Sequence, residues 1–217
     1  MFHALAQKLR QLLAPHFCIH CTIMLEKEGW WCVDCAARVR SLVSKTIAVT
    51  PSFSMPVFCV GAYEEPLKQL ILSKSWSHRT SSYLLGELIW QKTPISLLSF
   101  DYIVPVPLHW RRFAWRGYNQ AECMAEVIST YSKKPIIRCV KRNKSTPFQS
   151  SLAIENRAAN VHEAFRFVPT EEIEEGKTFL IVDDLMTTGS TLKSVAHIIR
   201  KSCKSKSIIA VVAARAV

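Results

Sequence analysis

Apolar positions along this chain fall into two kinds of block: short β-branched runs, and longer segments with helical spacing. Residues 57–63 predict a strand, and 67–72 and 83–90 predict helices, with the polar stretch 73–82 between them. Residues 102–106 form a short β-branched run. Within 118–131, Ala121, Met124, Ala125, Val127 and Ile128 share one helical face. Residues 135–140 predict a further strand and 154–161 a short helix. The uninterrupted apolar run Phe179-Leu180-Ile181-Val182 has the composition of a strand buried on both faces. Residues 191–201 predict a helix and 207–213 a final strand. This β–α alternation predicts an α/β domain with a mainly parallel sheet flanked by helices on both faces.

Residues 1–15 carry a basic amphipathic pattern, with Leu5, Leu9, Leu12 and Leu13 at helical spacing. They lack the continuous apolar core of a secretory signal and read as mature protein. The Ser- and Pro-rich stretch TPSFSMP, residues 50–56, reads as a linker. It divides the chain into an N-terminal module, 1–50, and a main domain, 57–217. No apolar stretch reaches the roughly 18 residues of a membrane span, so no membrane insertion is expected and the cytoplasm is the default. With 49% apolar and 21% charged residues, the composition is that of a folded domain, not a disordered chain. The formal net charge is +11, from 28 Lys plus Arg against 17 Asp plus Glu. That balance favours polyanionic partners, nucleic acid or phosphorylated metabolites, and does not separate the two.

The most specific segment runs Phe179-Leu180-Ile181-Val182-Asp183-Asp184-Leu185-Met186-Thr187-Thr188-Gly189-Ser190-Thr191. An apolar strand ends in two acids, at the sheet end where open α/β folds bind ligands. Adjacent carboxylates accept hydrogen bonds from the two cis hydroxyls of a ribose. The turn that follows offers successive backbone N–H groups and the hydroxyls of Thr187, Thr188, Ser190 and Thr191 at the positive end of a helix, a site for a phosphate. Gly189 permits close approach of backbone to that phosphate. A solvated acid pair and an ordinary helix cap would explain one or two of these residues, not the whole run. A Walker loop is excluded, since G-x-x-x-x-G-K-[ST] does not occur here. The segment resembles the ribose-phosphate signature of the type I phosphoribosyltransferase fold, whose members bind phosphoribosyl pyrophosphate (PRPP) with Mg2+. The resemblance implies that Asp183 and Asp184 contact the ribose hydroxyls while Met186, Thr187, Thr188, Gly189, Ser190 and Thr191 wrap the 5′-phosphate.

Upstream, DYIVPVPLHWRRFAWRGYN (101–119) places Arg111, Arg112 and Arg116 after a short strand. In that fold the corresponding loop holds the pyrophosphate, and forked guanidinium donors suit its oxygens. A solvated basic loop is the plain alternative. KRNKSTPFQSSLAIENR (141–157) is polar and long enough to cover the pocket, with Arg142, Gln149 and Arg157, and nearby Asn160, as its pointed side chains. An ordinary surface loop explains it equally well. YEEPLKQLIL, PVPLHWRRFAWRGYNQAE, the series Thr146, Gln149, Leu152, Arg157, Asn160, Ala164, Phe165, and VDDLMTTGSTL stand in the order seen in the ComF family, which includes competence proteins needed for uptake of transforming DNA. One departure is Leu72-Ser73-Lys74-Ser75-Trp76, where the family commonly has Leu-Lys before an aromatic residue, so the role of Lys74 stays open.

Of the eight cysteines, Cys18, Cys21, Cys32 and Cys35 form two Cys-x2-Cys pairs with ten residues between them. Each pair points two thiolates at one metal, and two pairs complete the tetrahedron of a structural Zn2+. A redox dithiol is the alternative for a single pair. A filled site would lower the net charge by about two. His16 and His20 lie nearby, but four cysteines leave them no vacancy. Trp30 and Trp31 suit stacking on bases or packing against the knuckles. Cys59, Cys123, Cys139 and Cys203 read as small buried hydrophobes.

The resemblance implies a cytoplasmic PRPP- or ribose 5-phosphate-binding protein of DNA uptake that handles incoming single-stranded DNA. A second reading is an active phosphoribosyltransferase joining a nitrogen acceptor to C1 of PRPP, with Asp183, Asp184, Arg111, Arg112 and Arg116 as its working residues. A third is an adaptor whose zinc module docks a DNA-uptake helicase. The sequence leaves open which holds and what the acceptor is.

Overall fold

The computed structural model describes residues 16–26, 29–72, 78–108, 117–142, 164–170 and 173–217. A short helix α1 (Val33–Ala37) precedes the hairpin β1 (Lys45–Thr50) and β2 (Phe53–Ala62). Helices α2 (Leu67–Leu72) and α3 (His78–Lys92) follow, then a 3-10 turn at Pro94–Leu97 and strand β3 (Tyr102–Pro105). Helix α4 (Gln120–Ser132) leads to β4 (Val140–Arg142), β5 (Phe165–Phe167), β6 (Thr178–Met186), α5 (Ser190–Cys203) and β7 (Ser207–Arg215).

The main sheet has the order β1-β2-β7-β6-β3. Strands β2, β7, β6 and β3 are parallel, and β1 pairs antiparallel at one edge. The central strands β6 and β7 are apolar on both faces because both faces are covered. Phe179 and Ile181 face a layer made by α5 residues Leu192, Val195, Ala196 and Ile199. Leu180 and Val182 face the opposite layer, made by α2, α3 and α4. Each such fully buried side chain contributes about 1.5–3 kcal/mol. Helices α3 and α4 pack closely at Gly86, where an added Cβ would lie 2.9 Å from Val127 Cβ and 3.1 Å from Met124 Cα.

Two expectations are corrected. The stretch 50–56 is no linker: it is the turn and first half of β2, paired back onto β1. Its Pro56, which has no N–H to give, sits where β2 pairs only with β1, and pairing with β7 begins at Val57. The strand expected over 135–140 is a single bridge, Ile136 to Ile103. The ladder forms later, at β4, which pairs with β5 in a separate two-stranded sheet. The helix expected over 154–161 and the amphipathic segment 1–15 lie outside the described residues.

Among the described residues no helix is long and apolar enough to cross a membrane.

Candidate functional site

Strand β6 runs through the acid pair to Met186. Its neighbour β3 stops at Pro105, opposite Val182, and the last link on that side is Val106 N–H to Val182 O at 2.9 Å. Asp183 and Asp184 therefore emerge at the point where one flank of β6 is no longer occupied by β3. On the other flank β7 continues alongside, Asp183 opposite Val212 and Met186 opposite Arg215, and Ala216 N–H donates to Met186 O at 2.9 Å. The acids are thus held by a rigid strand and partly open to solvent.

Burial pushes the Asp183 carboxyl well above the usual carboxylate range, and the neighbouring Asp184 carboxylate adds to it. A hydrogen bond from the Asp184 backbone N–H (2.9 Å) and the positive charge of Arg142 act in the opposite direction. A half-buried carboxyl that resists ionisation gains from hydroxyl donors, which a ribose diol could supply.

Past Met186 the chain turns through Thr187, Thr188 and Gly189 into α5. Gly189 is the N-cap, with φ 83 and ψ 4, a left-handed conformation natural to glycine. A Cβ there would come within 2.6 Å of Ile47 Cδ1. The turn is braced internally: Thr188 Oγ1 donates to Ser190 Oγ at 3.1 Å and accepts from Ser190 N–H at 3.4 Å. The first intrahelical bond runs from Lys193 N–H to Gly189 O (2.9 Å), so the Thr191 and Leu192 N–H groups before it have no intrahelical acceptor. Thr187, Thr188 and Ser190 are exposed and Thr191 is half-buried around that end. One end of the sheet therefore carries two carboxylates able to accept from hydroxyls and, a few residues on, backbone N–H groups able to meet an anion.

Arg111, Arg112 and Arg116 lie outside the described residues, but both roots of their loop are placed. Asn119 ties them together: its Nδ2 donates to Val106 O (3.0 Å) and its Oδ1 caps α4 by accepting from Ala121 N–H (3.1 Å). The loop thus leaves and returns beside Val182, next to the acid pair. Asn119 is a site-building residue that sequence reading did not single out, although an Asn before a helical run is the signal of an N-cap. Arg142 stands at the end of β4, its guanidinium 5.2 Å from the Phe165 ring centre, and its field reaches Asp183. Gln149, Arg157, Asn160 and Lys74 lie outside the described residues.

The sulfur atoms of Cys18, Cys21, Cys32 and Cys35 all lie within 4.8 Å of one another. Cys21 Sγ and Cys32 Sγ are 3.7 Å apart, close to the edge of about 3.8 Å for a tetrahedron of sulfurs roughly 2.3 Å from one zinc. Burial opposes ionisation of Cys18, yet backbone hydrogen bonds from Cys21, Cys32 and His20 bring it to about 6. Burial and the thiols of Cys32, Cys21 and Cys18 push Cys35 up to about 12. A divalent cation resolves such crowding by ionising all four, so the residues fit zinc. His20 lies outside the tetrahedron, its Nδ1 3.4 Å from Cys35 Sγ and its Nε2 3.8 Å from Glu65 Oε2. Trp31, like Ile19 and Val39, packs against the core layer that includes α2, α3 and α4, while Trp30 is exposed. Among the described residues no other group of three or more metal-ligating side chains converges, and the acid pair alone makes no Mg2+ cage.

Residues 116–216 match the phosphoribosyl transferase domain family. The protein is 30% identical over 199 residues to competence protein F of Haemophilus influenzae, covering 88% of this chain and 82% of that one. It is 32% identical over 156 residues to the DNA utilization protein YhgH of Escherichia coli K12, covering 66% of this chain and 65% of that protein. Against the glutamine PRPP amidotransferase of B. subtilis the TM-score is 0.47 at 13% identity, covering 76% of this chain and 34% of that longer one. The domain match, the parallel sheet and the strand–turn–helix define a type I phosphoribosyltransferase fold with an N-terminal four-cysteine module. Within that class, the chain belongs to the ComF family.

Proposed function

We propose that this protein binds PRPP, accompanied by Mg2+, at the carboxyl end of its sheet and acts in the handling of incoming single-stranded DNA during natural transformation. The observation that carries the ligand is the pairing of Asp183 and Asp184 with the capped turn at Gly189, diol acceptors and phosphate donors on one strand–turn–helix. Asp183 and Asp184 accept from the ribose O2′ and O3′ hydroxyls. The 5′-phosphate sits on the N–H groups at the start of α5, with the Thr187, Thr188, Ser190 and Thr191 hydroxyls around it. Mg2+, entering with the ligand, would supply neutralisation of the pyrophosphate charge. Arg111, Arg112 and Arg116, on the loop rooted at Val106 and Asn119, are placed in sequence to hold the pyrophosphate end, with Arg142, Gln149 and Arg157 closing over it.

The DNA-uptake role follows the relatives, one called a competence protein and another a DNA utilization protein. Exposed apolar side chains on the zinc module, Phe17, Ile23, Met24, Trp30 and Val33, support its use as a docking face for an uptake helicase. The test is transformation of a competent host carrying the double variant Asp183→Asn, Asp184→Asn at normal protein level. Transformation should fall to the level of a deletion strain; wild-type frequency with the double variant would refute the reading.

A second reading, an active transferase, is favoured by the intact acid pair and by the rooting of the arginine loop beside it. In that reaction a nitrogen acceptor attacks C1 of PRPP, the C1–O bond to pyrophosphate breaks, and the acceptor loses a proton to solvent. Pyrophosphate release that depends on an added nitrogen acceptor would establish it.

A further inference from the structure

A cavity of about 620 Å³ lies at the amino end of the sheet, opposite the acid pair. Its wall is formed by the ends of α3 and α4 and the starts of β3, β6 and β7, including Trp90, Asp101, Tyr131, Lys134, Lys177 and Lys206. Its volume is that of a ligand site, not of a packing defect.

Two features give it a chemistry. Trp90 and Tyr131 stack, with ring centres 5.5 Å apart and planes within 9°. Tyr131 is 46% exposed, and its hydroxyl donates to Glu87 Oε2 at 2.7 Å. The outer phenol face is therefore held in place before anything binds, with the indole beneath it. An exposed, pre-ordered aromatic face is the platform on which a nucleobase stacks. The second feature is charge. Three lysines line the cavity against one carboxylate, Asp101, which already accepts from Thr178 N–H (2.9 Å). Lys177 is paired with Glu174 at 3.0 Å, but Lys134 and Lys206 have no carboxylate partner among the described residues. Lys206 N–H donates to Lys177 O, which sets these two cations side by side at the edge of β6 and β7. The exposed hydroxyls of Ser96 and Ser99 complete a wet rim.

We propose that this amino-end groove is a second, separate binding site, for single-stranded DNA: a base stacks on Tyr131 over Trp90, and the flanking phosphates pair with Lys134 and Lys206. It rests on the DNA-handling reading above and adds to it that the strand and PRPP occupy opposite ends of one sheet, so both can be bound at once. Stacking tolerates any base, as a protein meeting arbitrary incoming sequence requires.

The experiment is fluorescence anisotropy of labelled oligothymidylate, about 16 nucleotides long, with the zinc-loaded full chain across a salt series. Lys134→Glu with Lys206→Glu changes two exposed side chains, and PRPP titration of the same variant serves as the control for folding. Affinity for the oligonucleotide should fall by about tenfold or more, and the salt slope by about 1.4, two phosphate contacts at roughly 0.7 each. Tyr131→Ala should weaken binding by about fivefold or more with the salt slope unchanged. PRPP affinity should be unaffected in both. The proposal would be overturned by no oligonucleotide binding by the parent, by binding untouched by these variants, or by thymidine 5′-monophosphate binding the groove as tightly as the oligonucleotide, which would make it a mononucleotide site. Oligonucleotide binding lost on Asp183→Asn instead would move the DNA to the carboxyl end, refuting this site while leaving the ligand pocket standing.

Discussion

Replacing Gly189 with alanine tests the turn before α5, the proposed phosphate site, at a constrained position. Two costs arise. The backbone is left-handed, with φ 83, and an L-residue pays about 1–2 kcal/mol there. The new Cβ meets Ile47 Cδ1 at 2.6 Å, with Met186 Sδ next at 3.5 Å. Because Ile47 Cδ1 is the far end of a flexible side chain, it can swing aside for about 0.5–1.5 kcal/mol. The backbone cost is therefore the larger, and the variant should lose about 2–3 kcal/mol, seen as a fall of roughly 4–12 °C in melting temperature. Ile47→Val removes the clashing atom, so the double variant should regain the steric part and keep the backbone part. A double-mutant cycle by urea unfolding reads a coupling of about 0.5–1.5 kcal/mol. PRPP affinity should stay low in the double variant, because the N–H groups still depend on the left-handed turn. Gly189→Ala that is as stable as the parent and binds PRPP normally would refute this account of the turn.

Asp183→Asn should stabilise the protein at neutral pH while impairing ligand binding. The folded carboxyl is raised, so the folded state keeps a proton that the unfolded chain releases. Stability from this group is complete below the ordinary carboxylate range and is lost as pH rises through the folded value. The variant should thus match the parent at acid pH and exceed it above, the difference cancelling the acid sensitivity of the shared zinc site; a variant less stable at neutral pH would contradict the burial argument. Chelation should release about one zinc per chain and expose Trp31, which packs from the module against the core of the main sheet. Absence of zinc in purified protein, or no change in tryptophan emission on chelation, would count against the module.

What was legible in the sequence was local. The Phe179–Val182 run could be read as a central strand because four consecutive apolar residues only make sense where both faces are covered. The turn at Gly189 announced itself by its own residues, and the four cysteines by their spacing. What was not legible depended on partners distant in sequence. Strand β1 is largely exposed, its inward positions only Ile47 and Val49, too short an alternation to read from sequence, and is a strand because β2 folds back on it. Pro56 suggested a linker because the sequence does not say which neighbour a strand lacks at that point. Ile136 looked like part of a strand, but the ladder forms only at Val140, through pairing with Phe167 across an intervening segment. The contact of Ile47 with Gly189, and the Asn119 tie to Val106, join positions that no periodicity connects. The amino-end cavity is likewise assembled from the ends of five elements, each unremarkable alone.

Calorimetric titration of PRPP with Mg2+ into the zinc-loaded protein tests the central claim most directly. Saturable binding is expected, weakened by about tenfold or more in the Asp183→Asn, Asp184→Asn double variant through loss of charge-assisted hydrogen bonds. Equal affinity in parent and double variant, or no binding by the parent, would contradict it.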